Sequence, residues 1–423
     1  MLAQTARSQV DGNLALASPR ARSKALPALS RAELLAHLSG AFDLAELQSP
    51  GHATRVAYIA LTVAGRLDLD VETQQTVLYA GLLHDAGVAV RALPAGVDPK
   101  GGHTAAGAWV AARFGLDERT QQAIRHSHER WDGTGRPGGL SASQIPIESL
   151  IVAASHWACD ASDTLDNLLL ARAQLQREHA TALMPLAGHR IAEAMREVLR
   201  ADETWMALAD PRLPEHVASF AQGEAAPAVA LVDQAAVAMG EVVDAAAREP
   251  GRAARVAQLA VELARVAELP ESELPAVSVA GHLLDIGLLG VPRHITEKPA
   301  ILSVDEMEIM RRHPTWGARV IEDTPGLEFI AGWIDAHHER PDGRGYPEML
   351  SREEIPLAAR ILAIADSYWA LRAERPHRPA YTREDAVDII EANAGEQFDG
   401  SVVEWLVPAL DALERTPRRR RAS

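Results

Sequence analysis

The chain repeats itself, and this limits its architecture more than any motif does. SPGHATRVAYIA (49–60) returns as EPGRAARVAQLA (249–260), with Pro50, Gly51, Arg55 and Val56 reappearing 200 residues later. GLLHDAG (81–87) and HLLDIG (282–287) keep that offset. A ten-residue difference in the following loop then sets it to 210: His103 and Gly107 pair with His313 and Gly317, HERWDGTGRP with HERPDGRGYP, and Pro146 with Pro356. Such constancy makes the molecule a tandem in which one structural solution is used twice.

Each copy reads as helical. SRAELLAHL opens with a capping box from Ser30 to Glu33, and SVDEMEIM repeats it from Ser303 to Glu306. Apolar residues in RVAYIALTVAGRL and RVAQLAVELARV recur three and four apart, the spacing of a helix with one buried face. Strand-like alternation is scarce. The expectation is an all-α protein of two tandem helical domains, 29–205 and 228–415, joined by a Pro, Ala and Gly-rich linker or short connecting helix over 206–227. Residues 1–28 and the basic end 416–423 are expected to be disordered tails.

Composition narrows the function. Acidic residues exceed Lys and Arg by 58 to 42, a net charge of −16 that argues against binding nucleic acid or an anionic membrane. The single cysteine, Cys159, excludes an internal disulfide framework and a thiolate metal cluster, and is expected to be a buried apolar residue. No apolar run is long enough for a membrane span, and the N-terminus lacks a secretory signal. A soluble, cytoplasmic protein is expected.

Sixteen histidines carry the chemical signal. On a continuous helix, His84 and Asp85 would lie about 100° apart, able to reach one ion while the carboxylate bridges to a second. An HD dipeptide alone is weak, since a buried histidine beside a solvated aspartate is the commoner case. Here His52 lies one helix earlier, His103 one helix later, and His128 opens a loop whose Asp132, Gly133 and Gly135 suit a tight turn beside a ligand.

With these residues the chain resembles the HD superfamily of metal-dependent phosphohydrolases and, within it, the HD-GYP family of cyclic di-GMP phosphodiesterases. The likeness covers most of both copies and is most specific in the second: HHERPDGRGYP, EEIPLAARILAIADSYWAL, ERPHRPAYTREDA and GEQFD. It implies two or three divalent ions, iron, manganese, zinc or nickel, held by a leading His, the HD pair, a further His, a His-His pair and a late Asp. A Lys after HDIG would assist with the substrate phosphate, and a metal-activated water would attack the phosphodiester in line.

Neither copy matches that pattern fully. The first keeps His52, His84, Asp85, His103 and His128, with His84 and Asp85 as its catalytic pair. Ser127 replaces the first of the paired histidines, His156 the late Asp, and Val88 the Lys. His52, His84, Asp85 and His156 would form one site, and Asp85, His103 and His128 a weakened second. The second copy keeps Asp285, His313, His337, His338 and Asp366, but has Arg252 for the leading His, Leu284 for the HD His and Leu288 for the Lys. Arg252 is expected to pair with Asp285 or Asp366 and stand in for an ion. His282 and His126 are candidate substitute ligands, and a composite site drawing on both copies is an alternative.

Two functions compete. One is a metal-dependent phosphohydrolase in the first copy, acting on a phosphate ester or cyclic dinucleotide. The other is a degenerate module that senses a nucleotide or holds a signalling partner. For that partner the loop Asp342, Gly343, Gly345, Tyr346 and Pro347 is the candidate surface, because the resemblance connects GYP with partner recognition. No heptad seam fixes an oligomer, and a homodimer stays open.

Overall fold

The first helix, α1 (Arg31–Leu38), begins at the capping box: Glu33 N donates to Ser30 Oγ at 3.1 Å and Ser30 N to Glu33 Oε2 at 2.7 Å. The computed structural model describes residues 25–163, 168–221, 228–374 and 378–415. Among these there is no strand, only isolated bridges Leu29–Ala228 and Ala394–Phe398. The fold is all-α.

In the first copy α1 leads into α2 (Gly40–Glu46), α3 (His52–Arg66) and α4 (Val71–Leu83), then α5 (Gly102–Arg113), α6 (Glu118–Arg125) and α7 (Ile147–Asp163). Next come α8 (Leu168–Arg200), broken at Gly188, and two short helices, α9 (Asp202–Leu208) and α10 (Leu213–Ala218). The second copy opens with one long helix, α11 (Val229–Ala247), where the first has α1 and α2. It continues with α12 (Arg252–Val266), α13 (Leu274–Leu283), α14 (Arg293–Thr296), α15 (Val304–Met310), α16 (His313–Glu322), α17 (Glu328–Asp335) and α18 (Leu357–Arg372). Helices α14 and α15 occupy the lengthened loop that shifts the offset from 200 to 210.

The 3.6-residue pattern becomes burial. On α3, Val56, Ile59, Ala60 and Val63 are buried, and on α12 their counterparts Val256, Leu259, Ala260 and Leu263 are buried too. Truncating Ile59, Leu259 or Leu263 to alanine would cost about 2–5 kcal/mol. Buried apolar residues of both copies join in one cluster, so the copies share a core.

They face each other with approximate two-fold logic. Helix α2 packs on the turn after Asp285, and α11 packs on the turn after Asp85. Ala92 N donates to Ala245 O at 3.3 Å, and Arg91 Nη2 to Val291 O at 3.0 Å. Residues 206–221, expected to connect the copies, include α10, which packs against α1 and α3; residues 222–227 lie outside the described residues. Of the expected tails, only 25–28 is described, and there the expectation is corrected: Leu26 is buried in the core. Among the described residues, no helix is long and apolar enough to cross a membrane.

Candidate metal centre

In the first copy the ligand-bearing elements converge. His52 is the first residue of α3, His84 caps the C-terminus of α4, His103 is the second residue of α5 and His156 lies within α7. The helix expected to carry both His84 and Asp85 ends between them: Asp85, with φ −110°, starts a 3₁₀ turn. The reason is steric. A side chain at Gly87 would lie 1.8 Å from His103 O, so the chain must turn at this point to pass close against α5.

Nitrogen and carboxylate oxygen atoms of His52, His84, Asp85 and His156 lie within 4.8 Å of one another, and so do those of Asp85, His103 and His128. Asp85 is common to both groups, as a bridging ligand must be. Its Oδ2 is 2.9 Å from His84 Nε2 and 3.6 Å from His156 Nε2, and its Oδ1 is 3.7 Å from His128 Nε2. Burial works against its charge, yet the imidazoles of His84, His128 and His156 hold its carboxyl well below the ordinary range. His84 Nδ1 donates to Gly81 O at 2.8 Å, which fixes the ring and turns Nε2 inward. Nε2 of His84 and of His128 is buried and faces Asp85 at 2.9 and 3.7 Å. Imidazole nitrogens gathered on one carboxylate fit a divalent cation of the iron, manganese, zinc or nickel class.

Three acids missing from the sequence reading complete this centre. Asp43 on α2 accepts from Gly51 N at 2.9 Å and Ala53 N at 3.0 Å, and so fixes the start of α3. Asp160, one turn after His156, lies 3.1 Å from His156 Nε2 and 3.9 Å from His52 Nε2. Glu46 lies against Asp85, and burial together with that neighbouring carboxylate pushes its carboxyl up to about 8. Asp43 had a detectable signal, because Asp244 accepts from Ala253 N in the second copy. Glu46 had none, since α11 ends in three alanines.

The second copy is built differently. Arg252, at the start of α12, donates from Nη1 to Asp285 Oδ2 and from Nη2 to Asp366 Oδ1, with Nε 3.2 Å from Glu249 Oε2. Burial opposes this charge, but Asp366 and Asp285 raise its pKa far beyond any physiological pH. Arg252 therefore engages both aspartates, where the sequence suggested either. The cluster expected to include Asp285 reduces to His313, His337 and His338, whose ligand atoms group within 4.8 Å. His313 is lowered to about 4 and His338 well below its ordinary range, each by burial and then by neighbouring imidazoles, so both are neutral at pH 7. Leu284 is buried where the first copy has His84.

Among the described residues each cluster draws on one copy, so the alternative of a composite site finds no support there. His282 belongs to neither; its Nδ1 lies against Gly240, beside a cavity of about 590 Å³ between the copies. His126 also joins neither and lies 4.0 Å from Glu129, because the turn after α6 rotates it away from Asp85. In the GYP loop, Gly343 takes φ 72°, Gly345 packs against Glu339 and Arg340, and Asp342 pairs with Arg340 at 2.6 Å. Tyr346, followed by Pro347, turns inward and stacks on His338 with centroids 4.9 Å apart. Cys159 is buried.

Residues 51–155 and 237–402 each match the HD domain family. A 3'3'-cGAMP-specific phosphodiesterase of Vibrio cholerae (phosphodiesterase 3) is 29% identical over 73% of this chain and 66% of its own length. Another from that organism (phosphodiesterase 1) is 27% identical over 88% of this chain and 89% of its own. A cyclic di-GMP phosphodiesterase response regulator of Xanthomonas campestris is 36% identical over 38% of this chain, which spans 43% of that relative. A crystal structure of a V. cholerae cyclic GMP-AMP phosphodiesterase aligns with TM-score 0.66 and 22% identity, covering 91% of this chain and 98% of that one, and so shares the fold.

Proposed function

Because the chain belongs to the HD superfamily, as a tandem of two HD domains of the HD-GYP type, we propose that its first copy is a metal-dependent phosphodiesterase centre for cyclic dinucleotides. The observation that carries this reading is Asp85, shared by two ligand groups and faced by the buried Nε2 atoms of His84 and His128. Divalent ions held there would supply Lewis acidity and charge to an in-line displacement at phosphorus. His52, His84, Asp85 and His156 would hold one ion, and Asp85, His103 and His128 a second.

The chain's own groups divide the remaining work. Gly81 O holds a proton on His84 Nδ1 and keeps Nε2 available. Glu46, beside the ionised Asp85, holds a proton that a dication would displace. His103 is exposed, so a ligand reaches the centre from its side. The relatives' names supply the substrate class, cyclic di-GMP or 3'3'-cGAMP.

In the second copy Arg252 engages both aspartates, leaving three imidazoles for at most one ion. A binding role suits that copy, as Leu284 and Leu288 preserve packing without the chemistry of His and Lys. The deciding measurement is elemental analysis of chain purified without chelator, for the native protein, His84→Ala and His338→Ala, followed by assay of cyclic dinucleotide hydrolysis. Metal lost with His84→Ala together with hydrolysis supports the reading. A metal-free native chain overturns it.

A further inference from the structure

The two copies place their loops alike but close their sites differently. Tyr346 N donates to His338 O at 3.2 Å, and Arg136 N donates to His128 O at 3.0 Å. A side chain at Gly345 would lie 2.5 Å from Arg340 N, and one at Gly135 2.3 Å from Arg130 N, so both loops fold back on their own start in the same way. Residue 136 therefore leaves the backbone beside His128 as residue 346 does beside His338.

In the second copy the Tyr346 ring covers His338, the Arg311 guanidinium lies 5.5 Å from that ring's centre, and His313 is only 3% exposed. The first copy has Arg136 for the tyrosine and Gly101 for Arg311, and His103, the counterpart of His313, is exposed. Arg136 is itself exposed, and its guanidinium has no hydrogen bond or ion pair among the described residues. An open edge beside two ligand histidines thus carries an unpaired arginine, in a copy that has Val88 where a phosphate-binding lysine would stand.

We propose that Arg136 is the substrate-binding cation of the first copy, its guanidinium gripping the non-bridging oxygens of a phosphodiester seated at His103 and His128. This rests on reading the first copy as a phosphodiester site. The guanidinium fork matches two phosphate oxygens and stays charged at every working pH. In a chain of net charge −16, a local cation is what an anionic ligand requires.

The test uses the full chain loaded with Mn²⁺, comparing native protein with Arg136→Gln, Arg136→Lys, Arg136→Tyr and Lys100→Gln. Calorimetric titration with inorganic phosphate reads binding, and elemental analysis reads metal. Arg136→Gln and Arg136→Tyr should weaken phosphate binding about tenfold at unchanged metal content, with Arg136→Lys retaining most of it. In hydrolysis of cyclic di-GMP, KM should rise about tenfold in Arg136→Gln while kcat stays near native. Native chain that binds phosphate but hydrolyses nothing would defeat the hydrolase reading and leave Arg136 standing. Hydrolysis and phosphate binding unaltered in Arg136→Gln, loss in Lys100→Gln instead, or a native chain that binds no phosphate would each overturn the proposal.

Discussion

Arg252 and His52 stand at the same point of matching helices. Each is the first residue of its helix after a left-handed glycine, Gly251 at φ 77° and Gly51 at φ 79°. One aims an imidazole at a metal-ligand group; the other aims a guanidinium at two carboxylates. On the proposed reading, a single substitution would exchange a removable cation for a covalently attached one.

Removing that guanidinium should leave Asp285 and Asp366 buried without their cation. Breaking one side of a buried ion pair costs about 3–5 kcal/mol, so Arg252→Ala should lower the calorimetric midpoint by roughly 10 °C. Arg252→His should instead raise the metal bound per chain, and the rise should vanish when His338→Ala is added. Unchanged melting in Arg252→Ala would show that the clamp contributes no stability.

Metal uptake in the first copy should depend on pH through Glu46. Its carboxyl, held up to about 8 by burial and by Asp85, carries a proton below that value. A dication must displace the proton, so affinity for Mn²⁺ should rise from pH 6.5 towards 8 and flatten above it, with up to about tenfold per pH unit for one proton. Proton release measured in two buffers of different ionisation enthalpy checks this. Glu46→Gln should shallow the slope.

Asp43 links the fold to the centre. Its carboxylate takes two backbone N–H groups at the start of α3 while 5% exposed, so Asp43→Ala leaves both donors without it. A loss of about 2 kcal/mol is expected, seen as a lower urea midpoint. Because His52 begins that helix, bound metal should fall as well; metal at the native level would show that α3 holds its place without the cap.

What was legible in the sequence follows from the range of each interaction. Local signals were plain: the Ser30 and Ser303 capping boxes and the buried faces of α3 and α12 depend on residues three and four apart. The histidines were legible because their spacing repeats between copies. Glu46 and Asp160 were not, since a carboxylate on a helix reads as a solvated face until the partner across the core is known. The end of α4 between His84 and Asp85 was hidden for a similar reason: it depends on α5 passing within reach of Gly87.

The counterpart of Asp43 makes stability itself depend on pH. Burial pushes the Asp244 carboxyl up to about 6, above the ordinary carboxylate range, although Ala253 N and Gly251 N donate to it. A raised folded-state value means the folded chain holds the proton more tightly than the unfolded chain. The group's contribution is therefore fully present below about pH 4 and is lost as pH rises through 6. Asp244 is 5% exposed, so little screening applies and the loss is up to about 3 kcal/mol. Asp244→Asn cannot ionise, so the native-minus-variant stability difference, from urea unfolding, should shift against the native chain between pH 4 and 7. A difference that stays flat across that range would mean Asp244 is ionised throughout, held so by the positive end of α12.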